Sequence, residues 1–389
     1  MSLSVLVVNA GSSSLKLRVL DDGDSVTARA DLPALGSAGS AALADTIASF
    51  GPVDAVGHRV VHGGTLYSRP VRITGDVRRR LEALTDLAPL HQPKSLAALD
   101  AVTGVLPDVP AVACFDTAFH ATIGDAAATF ALPPHWRARW TLRRYGFHGL
   151  SHAYVSRRAA ELLGGTERPV SLPSSPGAEL TGASRIVTCH LGAGASLAAV
   201  LDGRSVDTTM GFTPLDGLVM ATRSGSVDPG LVLWLAEHAH TPPAELAATL
   251  EHRSGLAGLA GTPDMRQVLE RAAAGDPDAI LGRDVYLHRL RGAIGSMAAA
   301  LGGLDALVFT GGVGENSPEI RQRAASGLAF LGVAVDPDRN AGGGNLGGDA
   351  DEYEIGADGA AARSFVIAAR EDKQIAAEVR SVLAPDSHR

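Results

Sequence analysis

Lysine is scarce in this sequence. Only Lys16, Lys94 and Lys373 occur, and arginine supplies nearly all the remaining positive charge. Cysteine is scarcer still: Cys114 and Cys189 are the only two, and both sit in apolar, strand-like runs. That excludes a disulfide framework and points to buried thiols in a reducing compartment. Aromatics make up 4% of the chain, so core material is Ala, Val and Leu. No apolar run is long enough to span a bilayer. The N-terminus lacks a basic region followed by an apolar stretch and cleavage site, so a secretory leader is not expected. The expected compartment is the cytoplasm.

Excess positive charge is missing too. The formal net charge is −8, which argues against a general nucleic-acid or membrane-surface binder. An anionic small molecule is still compatible, because a few cations in a cleft outweigh a diffuse acidic surface. At 389 residues the chain exceeds what one hydrophobic core organises, so two domains are expected.

Ser4 to Val8 is a short apolar, β-branched run that stops at Asn9-Ala10-Gly11-Ser12-Ser13-Ser14. Leu15 to Leu20 reads as the returning strand of a hairpin. The pattern recurs: a strand from Arg185 to His190 ends in Leu191-Gly192-Ala193-Gly194, and Leu197 to Leu201 follows. A third strand, Ala306 to Phe309, ends in a turn from Thr310 to Asn316. The repeated strand–turn–strand units hint at an internal duplication. A helix is expected from an N-cap at Ser151 through Leu163, with Tyr154, Val155, Leu162 and Leu163 inward. Another is expected from about Asp284 to Leu301, with Val285, Leu290, Ile294, Met297 and Leu301 on one stripe. Gly164 to Ser184 and Asn340 to Gly348 read as loops. Strands alternating with helices place the chain in the α/β class.

Several segments carry candidate chemistry. The small residues from Asn9 to Lys16 let backbone N–H groups approach phosphate oxygens, and Asn9 offers an oxygen to Mg²⁺. Lys16 adds a point charge. A Ser-rich turn satisfied by its own side chains is the structural alternative. The spacing is not that of a GxxxxGK[ST] phosphate loop. Arg59 lies among apolar residues between glycines, and its planar fork suits a carboxylate or phosphate; a surface ion pair is the alternative. Asp116 ends an apolar run and can orient an arginine, accept a proton or hold metal-bound water; it can equally cap a turn. His148 and His152 flank a helix start, where anions are favoured. Arg223 is a second candidate clamp, because a transferring phosphoryl group spreads its charge over three oxygens. Gly311 to Asn316 suits the flat face of a nucleotide.

Together these segments resemble the acetate kinase family. Asn9-Ala10-Gly11-Ser12-Ser13-Ser14-Leu15-Lys16 and Gly57-His58-Arg59-Val60-Val61-His62-Gly63-Gly64 look like its two signature motifs. Phe115 to His120, Tyr145 to Gly149, Met210 to Pro214, Thr222 to Gly225 and Gly311 to Asn316 match in the same order. The resemblance implies two ribonuclease-H-like (actin-like ATPase) α/β domains flanking a cleft, in a duplicated architecture. The N-terminal domain would be 1–149, completed by about 374–389, and 150–373 would be the nucleotide-binding domain. It implies a homodimer, ATP or ADP as substrate, and Mg²⁺, with Mn²⁺ as a substitute. Transfer would run between ATP and acetate, giving acetyl phosphate and ADP directly, without a phosphoenzyme.

By the same resemblance, Asn9 and Glu371 would serve the metal. Arg59 and Arg223 would grip carboxylate and phosphoryl oxygens, His148 would stabilise the transferring group, and Asp116 would be the essential acidic residue. Val61, Leu90, Phe147 and Pro214 would form a small pocket for the acetate methyl, with His91 nearby. ATP would be held by Lys16, His190, Leu191, Gly192, Ala193, Gly194, Asp264, Met265, Arg266, Gly312, Val313, Gly314, Glu315 and Asn316. His152 and Thr208 would support.

Three positions depart from the family pattern. Ala193 replaces an Asn, Ala221 stands where a Gly is usual, and Met265 where a Phe is common. Rival readings are a propionate or butyrate kinase, a kinase using another donor such as pyrophosphate, and a non-catalytic nucleotide switch of the same fold.

Overall fold

The computed structural model describes residues 3–11, 14–34, 39–88, 91–164, 184–342 and 351–384. The chain divides into two compact units. The first comprises Met1–Ala121, Phe147–Tyr154 and Arg370–Arg389; the second comprises Thr122–Gly146 and Val155–Ala369. Residues 122–146 therefore belong to the second unit, and Glu371 to the first.

The sheet of the first unit contains β1 (Val5–Ala10), β2 (Ser14–Leu20), β3 (Val26–Pro33), β4 (Ala55–Val60), β5 (Val71–Arg72) and β6 (Ala111–Phe115), in the order β3-β2-β1-β4-β6-β5. That of the second contains β7 (Arg185–Leu191), β8 (Ala195–Leu201), β9 (Arg204–Thr208), β10 (Ala306–Thr310), β11 (Glu352–Glu354) and β12 (Arg363–Ile367). Its order, β9-β8-β7-β10-β12-β11, repeats the first strand for strand. In each, three antiparallel strands come first, two parallel strands extend the sheet, and a short antiparallel strand closes it. The duplication expected from the two hairpins is present over the whole of both sheets.

β1 reads as a continuous apolar run because both its faces are covered. Leu6 and Val8 pack towards Ala98 and Val102 of the helix Gln92–Val105. Val5 and Val7 pack towards Ile375, Ala376 and Val379 of the helix Glu371–Leu383. In the second unit the helix Pro277–Leu301 covers β7 and β8, burying Tyr286, Leu290, Ile294 and Met297. Both cysteines are buried and free. Among the described residues no helix is long and apolar enough to cross a membrane.

Some boundaries differ from expectation. The expected helix at Asp284 begins at Pro277, capped by Asp276, whose carboxylate accepts from the N–H groups of Asp278 and Ala279; Val285 on its stripe is half-buried. The helix expected to be capped by Ser151 spans Gly149–Leu162. Ser151 is buried inside its first turn, and Leu162 and Leu163 are only half-buried. The turn after β10 is a short helix, Gly311–Asn316. Asn340 is a buried member of the helix Pro337–Gly342 rather than part of a loop. The rest of that loop (343–348), most of the other (165–183) and Leu90 lie outside the described residues.

Candidate active site

Parallel pairing gathers the first constellation. β1 lies beside β4 with Val8 opposite His58, and β4 lies beside β6 with Val60 opposite Phe115. Asn9, Arg59 and Asp116 therefore meet at the carboxyl ends of neighbouring strands, where open α/β sheets bind ligands. The Arg59 guanidinium forks onto Asp116, with Nη2 2.6 Å from Oδ2 and Nε 3.0 Å from Oδ1. Its Nη1 donates to Asn9 Oδ1 at 3.1 Å. The Asn9 amide donates to Glu371 Oε2 at 2.8 Å, and that oxygen lies 3.8 Å from Arg59 Nε. Glu371 opens its helix and arrives from the far end of the sequence.

Asp116 is only 1% exposed. Burial raises its carboxyl pKa, the Arg59 charge opposes that rise, and Glu371 adds to it. Burial also works against the charge on Arg59, but Asp116 and Glu371 more than offset this and raise its pKa. Arg59 thus stays cationic while both partners hold it in one orientation.

The same unit also buries histidines. His58, His62 and His120 are buried, and burial lowers each to a pKa of about 4. The Phe147 ring meets the His62 ring edge-on at 5.6 Å. Val61 and Phe147 are both buried. The buried Gln92 side chain bonds both the N–H and the carbonyl of His62, tying the start of the helix at His91 to the segment after β4. His148 is half-buried with φ 55°, and its carbonyl accepts from the buried His152 N–H at 3.0 Å. Lys16 is an exposed residue of β2, opposite Asn9 in register.

The second unit holds a pocket of about 580 Å³. Gly192, Ala193, Asp264, Met265, Arg266, Gly312, Val313 and Asn316, all among the residues assigned to ATP by resemblance, line it. His190, Leu191, Gly194, Gly314 and Glu315 are not on its wall. Glu315 is committed elsewhere: Oε1 accepts from the backbone N–H of Gly311 at 2.8 Å and of Ala369 at 2.9 Å. Leu191 is buried against Gly311, where any Cβ would meet the Leu191 backbone at 2.9 Å. The φ of 76° at Gly311 makes the same demand for glycine. Asp264 caps the helix Met265–Ala273 and pairs with Arg266, Nη2 to Oδ2 2.7 Å.

Sequence reasoning missed Leu256, Pro263, Leu269, Tyr286 and the run Ser317–Glu319 as lining residues. Ser317 and Pro318 carried a findable signal, since a capping serine followed by proline opens the next helix, Pro318–Ser326. Arg321 was missed as well. It is buried behind this wall, where its Nη1 bonds the carbonyls of Gly314 and Glu315. All three departures, Ala193, Ala221 and Met265, line this one pocket. The Ala221 N–H donates to the Ala193 carbonyl at 3.2 Å.

Arg223 lies in the second unit, where Nη1 donates to the Pro214 carbonyl at 3.1 Å. Burial lowers its pKa and Glu251 opposes that. Pro214 is half-buried. Thr208 is buried, and its hydroxyl donates to the Leu197 carbonyl at 2.6 Å.

Residues 34–377 match the acetokinase family. The chain belongs to the acetokinase family. An acetate kinase of Clavibacter michiganensis is 44% identical over 367 residues, 86% of this chain and 89% of that protein. Among solved structures, the acetate kinase of Porphyromonas gingivalis is 33% identical with a TM-score of 0.84, covering 98% of this chain and 100% of the other. A propionate kinase of Francisella tularensis has a TM-score of 0.86 at 33% identity, with the same coverage. These acetokinase relatives span nearly the whole chain, so the duplicated sheets and both clusters of candidate residues lie within the shared fold.

Proposed function

We propose that this acetokinase transfers the γ-phosphoryl group of ATP to acetate, reversibly, giving acetyl phosphate and ADP. The observation that carries this reading is the Arg59 fork. A guanidinium held by a buried carboxylate and an amide is oriented before substrate arrives, so little is lost in ordering it. Its charge suits the carboxylate of a small acid. Val61 and Phe147 supply buried apolar surface for a methyl group, with Leu90, His91 and Pro214 assigned to the same pocket by family resemblance.

In the proposed step, a carboxylate oxygen attacks the γ-phosphorus as the bond to the bridging oxygen of ADP breaks. Arg59, Arg223 and His148 meet the charge on the phosphoryl oxygens. The pocket lined by Ala193, Met265 and Val313 takes the nucleotide. Asn9 and Glu371 would hold Mg²⁺. Among the described residues no group of three or more His, Cys, Asp or Glu is arranged to hold a metal ion. One carboxylate with one amide fits a Mg²⁺ that keeps most of its waters and phosphate ligands. Bound there, the ion would neutralise phosphate charge.

Propionate is a second acceptor to expect, because one methylene is discriminated by only about 1–3 kcal/mol in an apolar pocket. A homodimer is also proposed. The helix Pro229–His238 buries none of its residues and exposes Leu231, Leu233 and Trp234, a face suited to a second copy.

The test is to supply ATP, Mg²⁺ and acetate, propionate or butyrate, and trap acyl phosphate as the hydroxamate. Product with acetate, lost in Arg59→Ala and Arg223→Ala, supports the reading. Nucleotide binding without product from any acid would favour a nucleotide switch.

A further inference from the structure

His148 is held in a backbone conformation that few residues adopt. Its φ of 55° lies in the left-handed region, which costs a non-glycine residue on the order of 1 kcal/mol and persists only where the surroundings impose it. Two bonds flank it, and both come from the segment after β6. On one side, the Gly149 N–H donates to the Asp116 carbonyl at 2.8 Å. A Cβ at Gly149 would stand 2.2 Å from that oxygen, so only glycine permits the approach. On the other side, His120 Nε2 lies 3.0 Å from the Phe147 carbonyl.

The second bond fixes a tautomer. A carbonyl can only accept, so Nε2 of His120 must carry the proton. The ring is 1% exposed, and burial keeps it neutral by lowering its pKa to about 4. The His152 ring meets it edge-on at 5.6 Å, and the Phe119 ring does so at 5.5 Å, so it is packed on two sides.

We propose that His120 is a positioning residue for His148, its Nε2–H bond to the Phe147 carbonyl holding the turn that presents the His148 imidazole to the transferring phosphoryl group. The Asp116 segment then does two jobs. Its carboxylate orients Arg59, and its backbone, with His120 one turn later, orients His148. This rests on the assignment of His148 to the phosphoryl oxygens.

A double-mutant cycle tests it, with acyl phosphate formation from ATP and acetate as the readout. His120→Phe keeps the ring volume and loses the donor. It should lower kcat about tenfold in the wild-type background while KM for ATP stays within about twofold. In a His148→Ala background the same change should cost less than about twofold, because the group being positioned is gone. His120→Gln, which returns an N–H at the Nε2 position, should recover most of the loss. A tenfold loss that persists in the His148→Ala background would make His120 a general structural residue and overturn the inference. His148→Ala as fast as wild type would instead remove the assignment on which it rests. Should His120→Phe fail to fold, ¹⁵N NMR of the wild-type imidazoles decides: His120 protonated on Nε2 at pH 7 agrees, and a proton on Nδ1 rules the bond out.

Discussion

The Asn9 amide donates to the Glu371 carboxylate over 2.8 Å, although the two residues are separated by 362 positions. One lies near the end of the first strand, and the other opens the helix Glu371–Leu383. The contact lets a single amide touch both charged partners of the site, because its oxygen accepts from Arg59.

Under the proposed assignment of Glu371 to Mg²⁺, removing its charge should act through the metal. Glu371→Gln preserves shape and the capacity to bond Asn9. The Mg²⁺ concentration giving half-maximal velocity should rise about tenfold, in line with the loss of a metal-site partner, while the thermal transition moves little. An unchanged Mg²⁺ titration would remove Glu371 from the metal site.

Arg59 should be more costly to lose than any surface arginine. Breaking a buried pair leaves Asp116 without its counter-ion, an effect of about 3–5 kcal/mol. Arg59→Ala should lower stability to urea as well as abolish product. Arg59→Lys should restore part of the stability but little activity, because an ammonium cannot fork onto Asp116 and still reach Asn9. Full activity in the lysine variant would show that charge alone suffices.

Acid should unfold this protein through its histidines. His58, His62 and His120 sit near a pKa of about 4 when folded, against about 6.5 when unfolded. Their folded values are depressed, so between those limits the unfolded chain binds more protons. Stability is then fully present above pH 6.5 and falls as pH drops towards 4. Each histidine contributes on the order of 3 kcal/mol across that window. Urea midpoints at pH 7 and pH 5 should differ clearly; equal midpoints would contradict the burial argument. His120→Gln should flatten the dependence by about one proton.

Ala193 sits exposed on the wall of the pocket proposed for the nucleotide, so an added side chain has room. Restoring the family's asparagine with Ala193→Asn should raise turnover several-fold, because an amide near the phosphates gains a bond that can strengthen in the transition state. Steady-state kcat with saturating ATP checks it. A variant no faster than wild type would show that the surrounding backbone already supplies that contact.

The legible parts of this fold share a cause. β1 and β7 announce themselves because strands buried on both faces must be apolar throughout, and the small residues after them mark turns. The start of the helix Gly149–Leu162 carries no local signal because its first N–H is satisfied by the carbonyl of Asp116, 33 positions earlier, rather than by a local cap. The helical form of Gly311–Asn316 was hidden for a similar reason. Its first N–H is taken by the Glu315 side chain, a bond that glycine-rich spacing does not advertise.

By itself, the sequence determined the α/β class, the repeated hairpins, the family and the identities of the charged groups, because these depend on local pattern and on residue chemistry. Only the tertiary structure decided which groups share a site. Parallel register set Asn9, Arg59 and Asp116 side by side, and helix packing delivered Glu371. Hydrogen bonds from one buried segment flank His148 in a left-handed conformation that its neighbours in sequence do not announce. Ala193, Ala221 and Met265 were three scattered departures until the fold placed them on one wall.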